Sequence, residues 1–208
     1  MKPSPFPFLC TLVLAASLSL SAQKGTVKGK SGTEYSTITI GSQVWMAENL
    51  REEEASCEES KKISFANGSE SGADAVFYDG QPHFAYHQNR PELEFGALYN
   101  LSAIRQCAVC PEGYRVPTKA DWEALIEHLG GLSEAGAQLK RGGSSGFSAD
   151  MMGRLELNGP VLENKAGSWW ALAADGEKAY TIELKADKTI QLIEQDDKVG
   201  NYVRCIKE

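Results

Sequence analysis

Cys110-Pro111-Glu112-Gly113-Tyr114-Arg115-Val116-Pro117-Thr118, continued by Lys119-Ala120-Asp121-Trp122, is the stretch on which the fold turns. Pro111-Glu112-Gly113 is turn chemistry, Gly113 to Pro117 is a short extended piece, and Thr118 reads as a helix N-cap. Asp121, three residues on, makes a near capping box. Trp122, Leu125, Ile126 and Leu129 then fall at i, i+3, i+4 and i+7 on one apolar face. Gly130-Gly131 ends the helix. After it, Ser133 caps a second short helix reaching Lys140. From Gly146 onward the signals are strands: Ser168–Leu172, Ala179–Leu184, Thr189–Ile193 and Asn201–Ile206, with turns at Asp175-Gly176 and Asp187-Lys188.

Upstream, Gly96 to Arg105 reads as a short helix with Leu98, Leu101 and Ile104 inward. Residues 51–94 form a long irregular region with short strands, anchored by Phe77-Tyr78 and Phe84-Ala85-Tyr86 and held by Cys57; a stretch this long without regular structure needs a staple or a function. Its acidic run covers Glu52-Glu53-Glu54 and Glu58-Glu59. Before it, Tyr35–Ile40 alternates with β-branched residues, Gly41-Ser42 is a turn, and Gln43–Met46 returns, which predicts a hairpin. Strands, then helices, then strands indicate an α+β domain with an antiparallel sheet, two to three short helices and long stapled loops.

The chain has 208 residues, 21 Lys+Arg and 28 Asp+Glu, for a net charge of −7. This balance suits one folded domain. It speaks against nucleic-acid binding, which would show a basic stripe. The single long apolar stretch, Phe6 to Leu20, follows Lys2 and ends in Ser19-Leu20-Ser21-Ala22, the pattern of a secretory signal peptide. Residues 1–22 are therefore expected to be cleaved, leaving 23–208 as the mature domain, with Cys10 lost and no membrane span retained. The apolar run is shorter than the roughly 20 residues that span a bilayer. The expected location is periplasm, cell surface or medium.

Four cysteines remain: Cys57, Cys107, Cys110 and Cys205. In an exported chain this reads as two disulfides with three possible connectivities. Cys107-Ala108-Val109-Cys110 has no second close pair to complete a zinc site.

The motifs together resemble one family. Tyr35 to Leu50, with Gln43-Val44-Trp45-Met46-Ala47-Glu48-Asn49-Leu50 at its end, is similar to the opening motif of the Fibrobacter succinogenes major paralogous domain family. Gly96-Ala97-Leu98-Tyr99-Asn100 resembles its second block and Cys110–Thr118 with Asp121-Trp122 and Leu125 its central one. Gly146-Phe147, Trp169-Trp170 and Val203-Arg204-Cys205 resemble its closing blocks. The resemblance implies an exported bacterial protein with a C-type-lectin-like fold. It also implies pairing of Cys110 with Cys205, leaving Cys57 with Cys107. The first bridge would contribute about 4–5 kcal/mol on a chain-entropy estimate.

The resemblance brings no catalytic activity. The calcium motifs of C-type lectins are absent, and Gln81-Pro82-His83 places a poor calcium ligand where an oxygen belongs. Arg115-Val116-Pro117-Thr118 also resembles formylglycine-generating enzymes, which need paired cysteines late in the chain where only Cys205 lies. His83 and His87 with Glu92 or Glu94 could ligate a metal only on a helix, against which Pro82 argues. No Ser-His-Asp, Cys-His or phosphate-loop pattern stands out, and no metal or cofactor is expected. The candidate ligand residues are Trp169, Trp170, Tyr78, Phe84 and Tyr86. Alternation in a strand turns Trp169 and Trp170 to opposite faces; an outward one could stack on a sugar or anchor a protein, while the simpler reading packs both. The expected function is a non-catalytic binding module for a glycan or surface protein, with a structural envelope component as the alternative.

Overall fold

The computed structural model describes residues 23–58, 61–66, 77–90 and 95–208. The expected signal peptide, residues 1–22, lies outside them, as do Glu92 and Glu94. In chain order the first strands are β1 (Lys24–Lys28), β2 (Glu34–Ile40), β3 (Gln43–Met46), β4 (Ser56–Cys57), β5 (Ser64–Phe65), β6 (His83–Tyr86) and β7 (Ala97–Tyr99). Helix α1 (Leu101–Gln106), β8 (Cys107–Ala108), β9 (Tyr114–Arg115), α2 (Lys119–His128) and α3 (Ala135–Leu139) follow. The remainder is β10 (Met152–Glu156), β11 (Gly159–Glu163), β12 (Ala166–Leu172), β13 (Ala179–Lys185), β14 (Ile190–Gln195), β15 (Val199–Tyr202) and β16 (Ile206–Lys207).

Among the described residues the strands form three sheets rather than one. A five-stranded sheet runs β1-β2-β3-β16-β9, a nine-stranded sheet runs β14-β13-β12-β10-β15-β7-β6-β5 with β11 on β10, and β4 pairs β8. Most pairings are antiparallel, but β10–β12, β12–β15 and β5–β6 are parallel. The predicted hairpin is β2–β3, with Ile40 opposite Gln43 across a turn in which Gly41 takes φ +61°. The domain is thus mostly β with short helices, compatible with α+β.

Helix α2 forms as its sequence dictates. The Thr118 hydroxyl accepts from Asp121 N, and Thr118 N donates to Asp121 Oδ2 at 2.6 Å, closing the capping box. Arg115 grips the same carboxylate through Nη1 (2.6 Å) and Nη2 (3.0 Å). Burial works to raise the Asp121 carboxyl, but the bonds from Arg115 and Thr118 outweigh it and hold it below the usual carboxylate range. Trp122, Leu125 and Ile126 face the core.

Three predicted elements differ. Gly96 to Arg105 is not one helix: Ala97–Tyr99 is strand β7, held between β6 and β15, and the helix starts only at Leu101. The inward Leu98 belongs to a sheet face, with Tyr99 buried on the opposite face. The final run, Asn201–Ile206, splits into β15 and β16, which belong to different sheets. The break at Val203-Arg204-Cys205 turns Arg204 inward and brings Cys205 to Cys110. Helix α3 is shorter than predicted, and Glu134 at its N-cap makes no side-chain capping bond.

Both disulfides form with the pairing the family resemblance implied, Cys57–Cys107 and Cys110–Cys205. The central strands β7, β12 and β15 of the nine-stranded sheet are buried on both faces, and two cores result. One gathers Trp45, Trp122, Phe147, Trp169 and Tyr202; the other gathers Tyr35, Tyr99, Trp170 and Val203 around Cys107, Cys110 and Cys205.

At the centre of the first core lies the Arg204 guanidinium, 1% exposed. Its Nε (3.2 Å) and Nη2 (3.0 Å) donate to Asn49 Oδ1, which also accepts Trp169 Nε1 at 2.8 Å. Nη1 donates to the Phe147 carbonyl, and the guanidinium sits 4.3 Å from the Phe147 ring centroid. Among the described residues no carboxylate pairs with it, and burial pulls its pKa down to about 9. Gly96, at φ +92°, passes so close that a Cβ there would lie 2.5 Å from the Asn49 Cβ.

Arg204→Ala would leave a cavity and an unpaired Phe147 carbonyl; a loss of about 3 kcal/mol or more is expected in urea unfolding of the oxidised protein. Asp121 has a depressed folded pKa, so its contribution is complete above the ordinary carboxylate pKa and lost as pH falls through the folded value. The stability gap between the native protein and Asp121→Asn should therefore be largest near neutrality and close in acid, read from denaturant midpoints across pH.

Candidate functional site

Among the described residues β5 and β6 form one end of the nine-stranded sheet. Parallel pairing sets Ser64 beside His83 and Phe65 beside Phe84. Because side chains alternate, each face of this two-strand edge carries its own set.

On one face Phe65, Phe84 and Tyr86 form an aromatic group. The ring centroids stand 5.5 Å (Phe65–Phe84), 5.8 Å (Phe84–Tyr86) and 6.1 Å (Phe65–Tyr86) apart. Phe84 is buried as the base, Tyr86 is half-buried, and Phe65 is 46% exposed. The Tyr86 hydroxyl donates to Glu53 Oε1 at 2.6 Å. Burial first, and that carboxylate next, push the Tyr86 phenol well above its ordinary pKa, so it stays a neutral donor. Glu53 leads directly into an open cleft of about 370 Å³ lined by Lys30, Glu53, Glu54, Ser56 and Lys62. Through Tyr86 and Glu53 the aromatic group is thus joined to a cleft that carries carboxylates, ammonium groups and a hydroxyl.

The acidic run beneath the cleft is only partly a solvated one. Glu52 is fully buried; it accepts Tyr35 OH on Oε1 (2.7 Å) and Ser31 N on Oε2 (2.6 Å), while its carbonyl accepts Tyr99 OH (2.8 Å). This clamp ties the loop to the β1–β2 turn, where a Cβ on Gly29 would stand 2.0 Å from Glu52 Oε1.

On the other face Ser64, His83 and Asp79 are linked. Ser64 Oγ lies 2.8 Å from His83 Nδ1, and His83 Nε2 lies 3.0 Å from Asp79 Oδ1. The ring is 5% exposed, and Ser64 is exposed. Asn100 positions this group. Its Oδ1 accepts His83 N (3.0 Å) and Ala103 N (2.9 Å), and its Nδ2 donates to the Phe77 and Gln81 carbonyls, both at 2.7 Å. One buried side chain thus caps α1, aligns β6 and pins residues 77–83.

The predicted ligand residues divide. Phe84 and Tyr86 come together in the aromatic group. Tyr78 packs against Phe77 on the rim of the first core and donates to the Leu155 carbonyl at 3.3 Å. Trp169 and Trp170 are 1% and 0% exposed, so neither faces solvent and the binding role foreseen for them is corrected. They do alternate, but the sheet is covered on both sides: Trp169 enters the first core, and Trp170 the second, where its Nε1 donates to the Tyr99 carbonyl at 2.7 Å. Sequence reading passed over Phe65, in a stretch without periodicity, and the Ser64–His83–Asp79 contacts, which no short spacing encodes. His83 lies on a strand and is engaged on both nitrogens, away from the helical arrangement a His83–His87 metal site required. Among the described residues no three His, Cys, Asp or Glu side chains converge as metal ligands.

Asn100→Ala should remove the α1 cap and strand the Phe77 and Gln81 carbonyls. A loss of roughly 3 kcal/mol is expected, with hydrogen exchange rising first in residues 77–83 and α1.

No curated protein and no solved structure matches the chain. A family model does, over residues 38–207, from the middle of β2 through β16, and the matched span contains Asn49, Phe147, Trp169 and Arg204 of the buried cluster together with both disulfides. The chain belongs to the family of the Fibrobacter succinogenes major domain.

Proposed function

We propose that this chain is an exported, non-catalytic binding module of C-type-lectin-like fold, holding a glycan or protein partner at the bacterial cell exterior. The observation that carries the reading is the aromatic group Phe65–Phe84–Tyr86, joined to the charged cleft by the bond from the Tyr86 hydroxyl to Glu53. Ring faces present apolar area at low entropic cost, and the adjoining carboxylates, ammonium groups and Ser56 offer the acceptors and donors that a polyhydroxylated ligand satisfies in pairs. Of the two partner classes, the mixed polarity of the cleft favours the glycan. Cleavage of residues 1–22 belongs to the proposal. The two disulfides suit an oxidising compartment, and among the described residues no helix is long and apolar enough to cross a membrane.

Glycan-array screening of the oxidised domain should find ligands whose binding falls at least roughly tenfold in Phe65→Ala and Tyr86→Ala, the usual scale for losing an aromatic contact. Absence of any glycan ligand, together with a stoichiometric envelope protein bound elsewhere on the surface, would replace this reading with a structural role.

A further inference from the structure

We propose that Ser64 is a nucleophilic serine, set up for a single acylation by an activated acyl group. This goes beyond the binding reading, since the site lies on the opposite face of the β5–β6 edge and the step is one covalent capture without turnover. Asp79 supplies only acceptors when ionised, so the 3.0 Å contact places the imidazole proton on His83 Nε2. Asp79 Oδ1 also accepts Gln81 N at 2.7 Å, which fixes the carboxylate. His83 Nδ1 is then the bare nitrogen, and at 2.8 Å it accepts the Ser64 hydroxyl proton. This is the base-and-orienter logic of hydrolytic serines with the two ring nitrogens exchanged.

Asn100 holds the His83 backbone N–H and the residue is shielded from water, while the hydroxyl that its ring polarises is exposed on β5. Ser64 N donates to the Pro82 carbonyl (3.1 Å) and Ala66 N to that of Phe84 (2.8 Å). The intervening Phe65 N–H consequently points away from β6, beside the nucleophile, where it can donate to a developing oxyanion. In the step, Ser64 Oγ attacks the carbonyl carbon of an ester or thioester and its proton passes to His83 Nδ1. The carbonyl carbon–oxygen or carbon–sulfur bond then breaks, and the departing alcohol or thiol takes that proton. The products are an ester on Ser64 and the free alcohol or thiol, with no change of oxidation state.

A fluorophosphonate probe tests this directly, because serine attack on phosphorus displaces fluoride. The folded, oxidised protein should take up one probe on Ser64, located by peptide mass mapping. Labelling should be roughly 100-fold faster than at the exposed Ser31 and Ser144. Ser64→Ala should abolish it. Asp79→Asn should slow it at least roughly tenfold with the melting temperature unchanged, and Asp79→Glu should recover part of the rate. No adduct on Ser64, or a rate there equal to that of Ser31 and Ser144, or full reactivity in Asp79→Asn, would overturn the proposal.

Discussion

The buried guanidinium of Arg204 is the constraint around which the domain is arranged. A cation taken out of water is costly unless its donors are met. Here they are met by a side-chain amide and a backbone carbonyl, with aromatic rings beside the charge. Asn49 Oδ1 can serve Arg204 and Trp169 together only because its Nδ2 is anchored on the Phe95 carbonyl at 2.8 Å. Five distant stretches meet in this cluster: the end of the first hairpin, the entry to β7, the loop before β10, strand β12 and the C-terminal break. They lie in the opening, second and closing blocks by which the family is recognisable in sequence, so those motifs are parts of one interior contact set.

That arrangement also explains why the aromatic pair on β12 is silent at the surface. A sheet with one wet face would have turned one tryptophan outward. This sheet has the α2 side on one face and the disulfide-bonded loops on the other, so alternation distributes Trp169 and Trp170 between two cores. Among the described residues the one exposed large aromatic is Phe65, where coverage ends at the β5–β6 edge, and that is where the candidate site lies.

Legibility in the sequence followed the range of the interactions. Helix α2 was readable because Thr118, Asp121 and the Trp122–Leu129 face are local. The β2–β3 hairpin was readable because Gly41 and the flanking alternation are adjacent. Ala97–Tyr99 was misread because a three-residue strand buried on both faces has no alternation, and Leu98 and Leu101 mimic helical spacing. The disulfide pairing came from the family resemblance, since cysteine spacing alone left three connectivities. Of the candidate site, Phe84 and Tyr86 were visible as aromatics, but Phe65 joins them only through the parallel β5–β6 register. The same register creates the Ser64–His83 contact, which therefore has no signature along the chain.

The split of the last strand has a consequence for how such a chain can mature. β15 is an interior strand of the nine-stranded sheet, and β16 is an interior strand of the five-stranded one. Both sheets therefore wait on the final ten residues, as do the Arg204 cluster and the Cys110–Cys205 bridge. A chain made from its N-terminus would complete its hairpin and its central helix well before the strands that join them. Closure thus waits on β15, Arg204, Cys205 and β16, and the chain stays open until they are in place.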